Sequence, residues 1–178
     1  VFARPHIARA ILKRQENKEK LGSISNVHDF IEMFLSNESP HYVHRSHIPV
    51  KDAIALIRGV GGVAVWSHPA IHFRQDYDGL ETWLKEMIEW GIQGLEVYNP
   101  SQSEDDAEFL QGLCATHQLV RTAGSDFHEK GDHAADLLTG LHSARFVGDF
   151  ETYGFAIDDI MPKLDEAMRI ARGMRNGT

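Results

Sequence analysis

Beyond about residue 60 the chain alternates short apolar runs with stretches of helical periodicity, and each run ends in polar residues. The runs are GGVAVWSHP at 61–69, GIQGLEVYN at 91–99 and LVRTAGSDFH at 119–128. Between the first two, Leu80, Trp83, Leu84, Met87 and Ile88 follow the i, i+3, i+4, i+7, i+8 stripe of an amphipathic helix, with Glu81 and Lys85 as an i, i+4 pair and Gly91 as a stop. Between the second and third, residues 102–117 predict a helix with Ala107, Leu110 and Cys114 inward. Strand, helix, strand, helix, strand implies right-handed crossovers and a parallel sheet. Continuous apolar strands fit a sheet covered on both faces. The C-terminal ends of such strands share one rim, where chemistry is usually placed in β/α barrels and open α/β sheets.

The first 60 residues predict helices. Residues 7–20 run from an apolar start to a charged end. Asn26 can cap a helix bearing Val27, Phe30, Ile31, Phe34 and Leu35, with Pro40 beyond it. Residues 41–48 are a polar connection, and Pro49 suits the first turn of a helix bearing Val50, Ala53, Ile54 and Ile57, ended by Gly59, Gly61 and Gly62. Asp158 or Asp159 can start a last helix with Leu164, Ala167, Met168 and Ala171 inward.

Composition narrows the function classes. With 178 residues the chain can bury a core without disulfides, and its single Cys114 excludes an intramolecular disulfide framework or a zinc ribbon. No run approaches the ~18 apolar residues of a membrane span. Residues 1–20 are too charged for a secretory signal, so a cytoplasmic setting is expected. The net charge of −8 argues against long duplex nucleic acid as partner. It leaves open a nucleotide held through metal ions.

The strand ends carry the candidate chemistry. The first run ends Ser67-His68-Pro69, the second carries Glu96 and ends Tyr98-Asn99-Pro100, and the third ends Gly124-Ser125-Asp126-Phe127-His128. In extended chain the Asp126 and His128 side chains fall on the same side. Facing His68 across the rim, they form a ligand set for a divalent metal such as Zn²⁺, Mn²⁺ or Fe²⁺. Each residue also has a plainer role: His68 can simply end a strand, Asp126 can cap the next segment, and Glu96 can pair with a buried Arg or Lys. The case for a metal site is the joint occurrence on one rim.

RPHIARA at 4–10, GGVAVWSHPA at 61–70, GLEVYNPS at 94–101 and TAGSDFHEKG at 122–131 resemble successive motifs of the PHP (polymerase and histidinol phosphatase) family. They are most similar to its bacterial branch of nucleoside-bisphosphate phosphatases and short-RNA 5′-3′ exoribonucleases. The resemblance implies an α/β chain that is the later part of a distorted (β/α)₇ barrel. Residues 1–10 and 60–178 would form the barrel portion and 11–59 a helical insertion. It implies two or three divalent ions (Mn, Zn or Fe) in the full site. Asp126 would ligate the metal that the family's His-x-His also holds, His128 a second, and His6 with His68 a third, which a family Glu upstream of RPH bridges to the first. Glu96 is not that Glu. Ile7 stands where Phe is common, an apolar exchange. Arg4 and Lys130 could hold a phosphate, or be solvated loop charges. No catalytic residue beyond the metal ligands is implied.

Of the 11 His, His72 could line the mouth, and His28, His41, His44, His47, His117, His133 and His142 have no motif context. No His-x-His occurs in the chain, which begins at Val1. The expectation is therefore a C-terminal portion, inactive alone, whose partner is an N-terminal segment of the same protein. The full protein would be a metal-dependent phosphoesterase, with metal-activated water attacking a small phosphorylated substrate, a nucleotide or a short oligonucleotide. The competing expectations are a degenerate, non-catalytic PHP-like binding or scaffold domain, and another metal hydrolase on a β/α barrel.

Overall fold

The computed structural model describes residues 4–43, 47–127 and 146–175. The chain divides into two compact units, Val1–His47 and Ile48–Thr178.

The first unit is helical. Helix α1 spans Arg4–Leu12, a 3₁₀ turn Gln15–Asn17, α2 Lys18–Leu21 and α3 Val27–Phe30, which runs into a π-helical stretch Ile31–Leu35. Asn26 caps α3 as its sequence position predicts, its side chain accepting from the Asp29 N–H at 2.9 Å. The expected helix over 7–20 is instead broken. Arg14 is extended (φ −85°, ψ 122°), and the Asn17 side chain donates to the Ile11 carbonyl at 2.9 Å, satisfying a helix-end acceptor. Phe30 is buried and packs on Phe34 with ring centroids 4.9 Å apart.

The second unit opens with α4, Val50–Gly59, then β1 (Val65–Trp66), α5 (Ala70–Phe73), α6 (Tyr77–Trp90), β2 (Gly94–Tyr98), α7 (Glu104–His117), β3 (Val120–Ala123) and α8 (Ile160–Arg175). The strands form a parallel sheet in the order β1-β2-β3, as the alternating pattern requires. Register places Val65 beside Gly94, and Gly94 in turn beside Val120. Gly94 is needed there, since a Cβ would lie 2.7 Å from the Val120 carbonyl oxygen.

The central strand carries the core: Leu95, Val97 and Tyr98 are fully buried. Leu80, Leu84 and Met87 of α6 and Ala107, Leu110 and Cys114 of α7 complete it, with Ile54 of α4 and Ile160 of α8. Trp83, at the edge of the α6 stripe, stays partly exposed and meets Trp90 edge-on at 6.2 Å. Gly91 ends α6 in the left-handed region (φ 95°), its N–H bonding back to the Ile88 and Met87 carbonyls. Ser103 starts α7 with a reciprocal cap: its hydroxyl accepts from the Asp106 N–H while the Asp106 carboxylate accepts from the Ser103 N–H. On α8, Ala171 is buried and Leu164, Ala167 and Met168 are half-buried.

Burial pushes the Cys114 thiol up to about 12. At pH 8 this lowers the thiolate fraction by a factor of roughly 10³ relative to an ordinary thiol. Native protein is therefore expected to leave Cys114 unlabelled by Ellman's reagent for hours and to react fully once unfolded in guanidinium. Full native labelling within a minute would contradict the buried placement.

Candidate functional site

The rim is built where the three parallel strands stop. His68 follows β1 by two residues, Asn99 follows β2 directly, and Asp126 follows β3 by three. His68 and Asp126 both leave their strands in left-handed backbone, with φ of 34° and 52°. Such values are uncommon outside glycine and mark positions that the surrounding structure must hold in place.

Glu96 is the hub of this rim. Its Oε2 accepts from the His68 peptide N–H at 2.7 Å and from Asn99 Nδ2 at 3.2 Å. Its Oε1 lies so close to Gly124 that a Cβ there would overlap it. Burial raises the Glu96 carboxyl above its ordinary value. The charge of Asp126 pushes the same way, while the hydrogen bond from His68, the His68 charge and Asn99 pull it down. The plainer reading of Glu96, a pair with a buried Arg or Lys, is not what the described residues show. Its hydrogen-bond partners are a backbone N–H and an amide.

Below the rim, Gln102 is almost fully buried. It donates to the Val97 carbonyl at 2.8 Å and accepts from the Ala70 N–H at 3.3 Å. The Tyr153 hydroxyl donates to the Gln102 carbonyl at 2.6 Å. Ser125, next to Asp126, is buried, whereas Asp126 itself faces solvent.

Among the described residues, His68 Nδ1 is buried without a hydrogen-bond partner. A ring nitrogen left so is a costly arrangement in a protein, but it suits a nitrogen that serves as a metal ligand. An imidazole beside carboxylates is a donor set for a borderline divalent ion. Among the described residues no group of three or more His, Cys, Asp or Glu is arranged to hold a metal. His72 lies on α5, solvent-facing, with its ring 5.8 Å from that of His68.

His6 sits half-buried on α1 of the first unit. Arg4, on the same helix, donates to Asn37 Oδ1 at 2.8 Å and lies over the Tyr42 ring at 5.8 Å. His128 and Lys130 lie outside the described residues. A cleft of about 780 Å³ between α7, β3 and α8 contains none of the rim residues. The sequence reading missed Glu96 as hub and Gln102 altogether. The available signal was a carboxylate inside an otherwise apolar strand.

The parallel strands end with His68 and Asp126 on the rim where β/α barrels and open α/β sheets usually place their chemistry. The comparisons agree with an α/β fold of this kind. One solved structure, from Bifidobacterium adolescentis and provisionally described as a metal-dependent phosphoesterase, superposes with a TM-score of 0.63 at 26% identity, over 93% of this chain and 50% of that one. An amidohydrolase from Chromobacterium violaceum, solved with sulfate, shares the fold with a TM-score of 0.61 at 24% identity, over 93% of this chain and 51% of that one. Among curated sequences, a 3′,5′-nucleoside bisphosphate phosphatase of Chromobacterium violaceum is 29% identical over 77% of this chain and 45% of its own. A 5′-3′ exoribonuclease of Haemophilus influenzae is 26% identical over 70% of this chain and 43% of its own. These are the relatives that the motifs pointed to, and the partial-barrel α/β reading stands with them. No family model matches the chain. The chain spans less than half the length of these curated relatives. Among the described residues no helix is long and apolar enough to cross a membrane.

Proposed function

We propose that the protein carrying this chain is a metal-dependent phosphoesterase acting on a nucleotide or a short oligonucleotide. The observation that carries the reading is the rim itself. His68, with a buried ring nitrogen that has no partner among the described residues, and Asp126 both stand in left-handed backbone at the carboxyl ends of parallel strands. The names of the relatives support the phosphoester class. A third relative, a phosphoribosyl 1,2-cyclic phosphate 1,2-diphosphodiesterase of Eggerthella lenta, is 31% identical over 47% of this chain and 30% of its own.

His68 and Asp126 would hold divalent ions, and the resemblance adds His6 and His128 to the ligand set. Ions bound there supply Lewis-acid neutralisation of phosphate charge and lower the pKa of water. The chain's own contribution is to fix the ligand side chains and to keep the floor of the rim packed. Arg4 and Lys130 remain proposals for phosphate contact. The ion count of two or three, their identity as Mn, Zn or Fe, and a cytoplasmic setting belong to the same proposal. So does a preceding segment supplying His-x-His. It is supported by the lack of that motif here and by the partial coverage of the relatives. On this reading the chain by itself turns over little substrate.

The test is a phosphoester panel on the protein that includes the preceding segment. It comprises a nucleoside 3′,5′-bisphosphate, short 5′-phosphorylated oligoribonucleotides and a cyclic phosphodiester, each with Mn²⁺, Zn²⁺ or Fe²⁺. Hydrolysis of at least one, dependent on added metal, is expected. Silence across the whole panel would sink the enzyme reading and favour the scaffold.

A further inference from the structure

We propose that Glu96 is the positioning residue of the rim: its carboxylate holds the His68 backbone in the one orientation that presents the imidazole for metal binding. The inference rests on the metal reading above.

Two backbone N–H groups of the turn after β1 are held from β2 and the residues just beyond it. The His68 N–H goes to Glu96 Oε2 at 2.7 Å, Pro69 has no N–H, and the Ala70 N–H goes to Gln102 Oε1 at 3.3 Å. Left-handed backbone at His68 (φ 34°) is unfavourable for a residue with a Cβ. A charge-assisted hydrogen bond from its own N–H is the contact that holds it there. Asn99 Nδ2, at 3.2 Å from the same oxygen, keeps the carboxylate from swinging away. The other oxygen occupies the space that Gly124 leaves by having no Cβ. One side chain thus touches the end of β1, the residue after β2 and the residue after β3. That third contact lies two residues before Asp126. Groups that orient metal ligands in this way typically change metal affinity 10–100-fold when removed.

Glu96→Ala removes the brace and Glu96→Gln keeps an acceptor oxygen for the His68 N–H. Gly124→Ala places a methyl group where Oε1 lies and pushes the carboxylate aside without touching His68. Two readouts are taken on the protein that includes the preceding segment. The first is hydrogen exchange of the ¹⁵N-labelled His68 amide in the metal-free state, and the second is Mn²⁺ affinity by electron paramagnetic resonance.

Glu96→Ala and Gly124→Ala are expected to speed His68 exchange at least tenfold and weaken Mn²⁺ binding about 10–100-fold. Glu96→Gln should restore most of both. If Glu96→Ala does not fold, Gly124→Ala and Glu96→Gln decide the matter alone. Folded Glu96→Ala or Gly124→Ala protein with wild-type Mn²⁺ affinity would overturn the brace and leave the phosphoesterase reading intact. So would Glu96→Gln binding as poorly as Glu96→Ala. Wild-type protein that binds none of Mn²⁺, Zn²⁺ and Fe²⁺ would overturn the phosphoesterase reading, whereas the exchange arm still reads the brace.

Discussion

Asp126→Asn is expected to lower kcat/KM for phosphoester hydrolysis by about 10²–10³, measured in the full-length protein. The substitution keeps the size of the side chain, and Asn tolerates the left-handed backbone that Asp126 adopts (φ 52°). Asp126 faces solvent, so no core packing is lost. What disappears is one anionic oxygen at the end of β3, beside the Glu96 charge. Several kcal/mol of charge stabilisation are at stake at such a position, and each ~1.4 kcal/mol is tenfold in rate. The melting temperature should stay within about 2 °C of wild type, because surface changes away from packing have small effects. A loss of activity under threefold, with the fold intact, would remove Asp126 from the ligand set.

Leu95→Ala tests the scaffold beneath the rim. Leu95 is fully buried in the central strand, with Trp66 and Arg121 as register partners on either side. Truncating a buried Leu costs about 2–5 kcal/mol through lost transfer energy and the cavity left behind. Domains carry about 5–15 kcal/mol in total, so this is a large share. For a chain of this size the melting temperature should fall by roughly 5–15 °C. Differential scanning calorimetry would show it. A shift below about 2 °C would mean that Leu95 does not pack as the fold requires.

Much of this architecture was legible in the sequence because burial is periodic. Leu80, Leu84 and Met87 repeat at helical spacing and are buried, and Ala107, Leu110 and Cys114 do the same on α7. The parallel order is dictated by the crossover helices and needed no further information. Where individual side-chain hydrogen bonds rather than periodicity decide the outcome, local pattern failed. Residues 13–20 are mostly good helix formers, yet the chain breaks at Arg14, and the Asn17 side chain bonds the Ile11 carbonyl. Apolar character over 61–66 suggested a longer strand than the two residues that pair, Val65 and Trp66. The rim was half legible. His68 and Asp126 stood out by residue type at strand ends. The role of Glu96 depends on which neighbouring strands it sits between, and on the missing Cβ of Gly124, neither of which sequence spacing encodes.

The central claim is that this rim serves metal-dependent phosphoester hydrolysis. Its most direct test is phosphate release by the chelator-stripped full-length protein, titrated with Mn²⁺ and assayed on a nucleoside 3′,5′-bisphosphate and on short 5′-phosphorylated RNA. Activity near zero after stripping, restored in a saturable manner by the metal and not restored in the Asp126→Asn variant, is the expected result. Hydrolysis that persists undiminished after the metal is removed would contradict the claim.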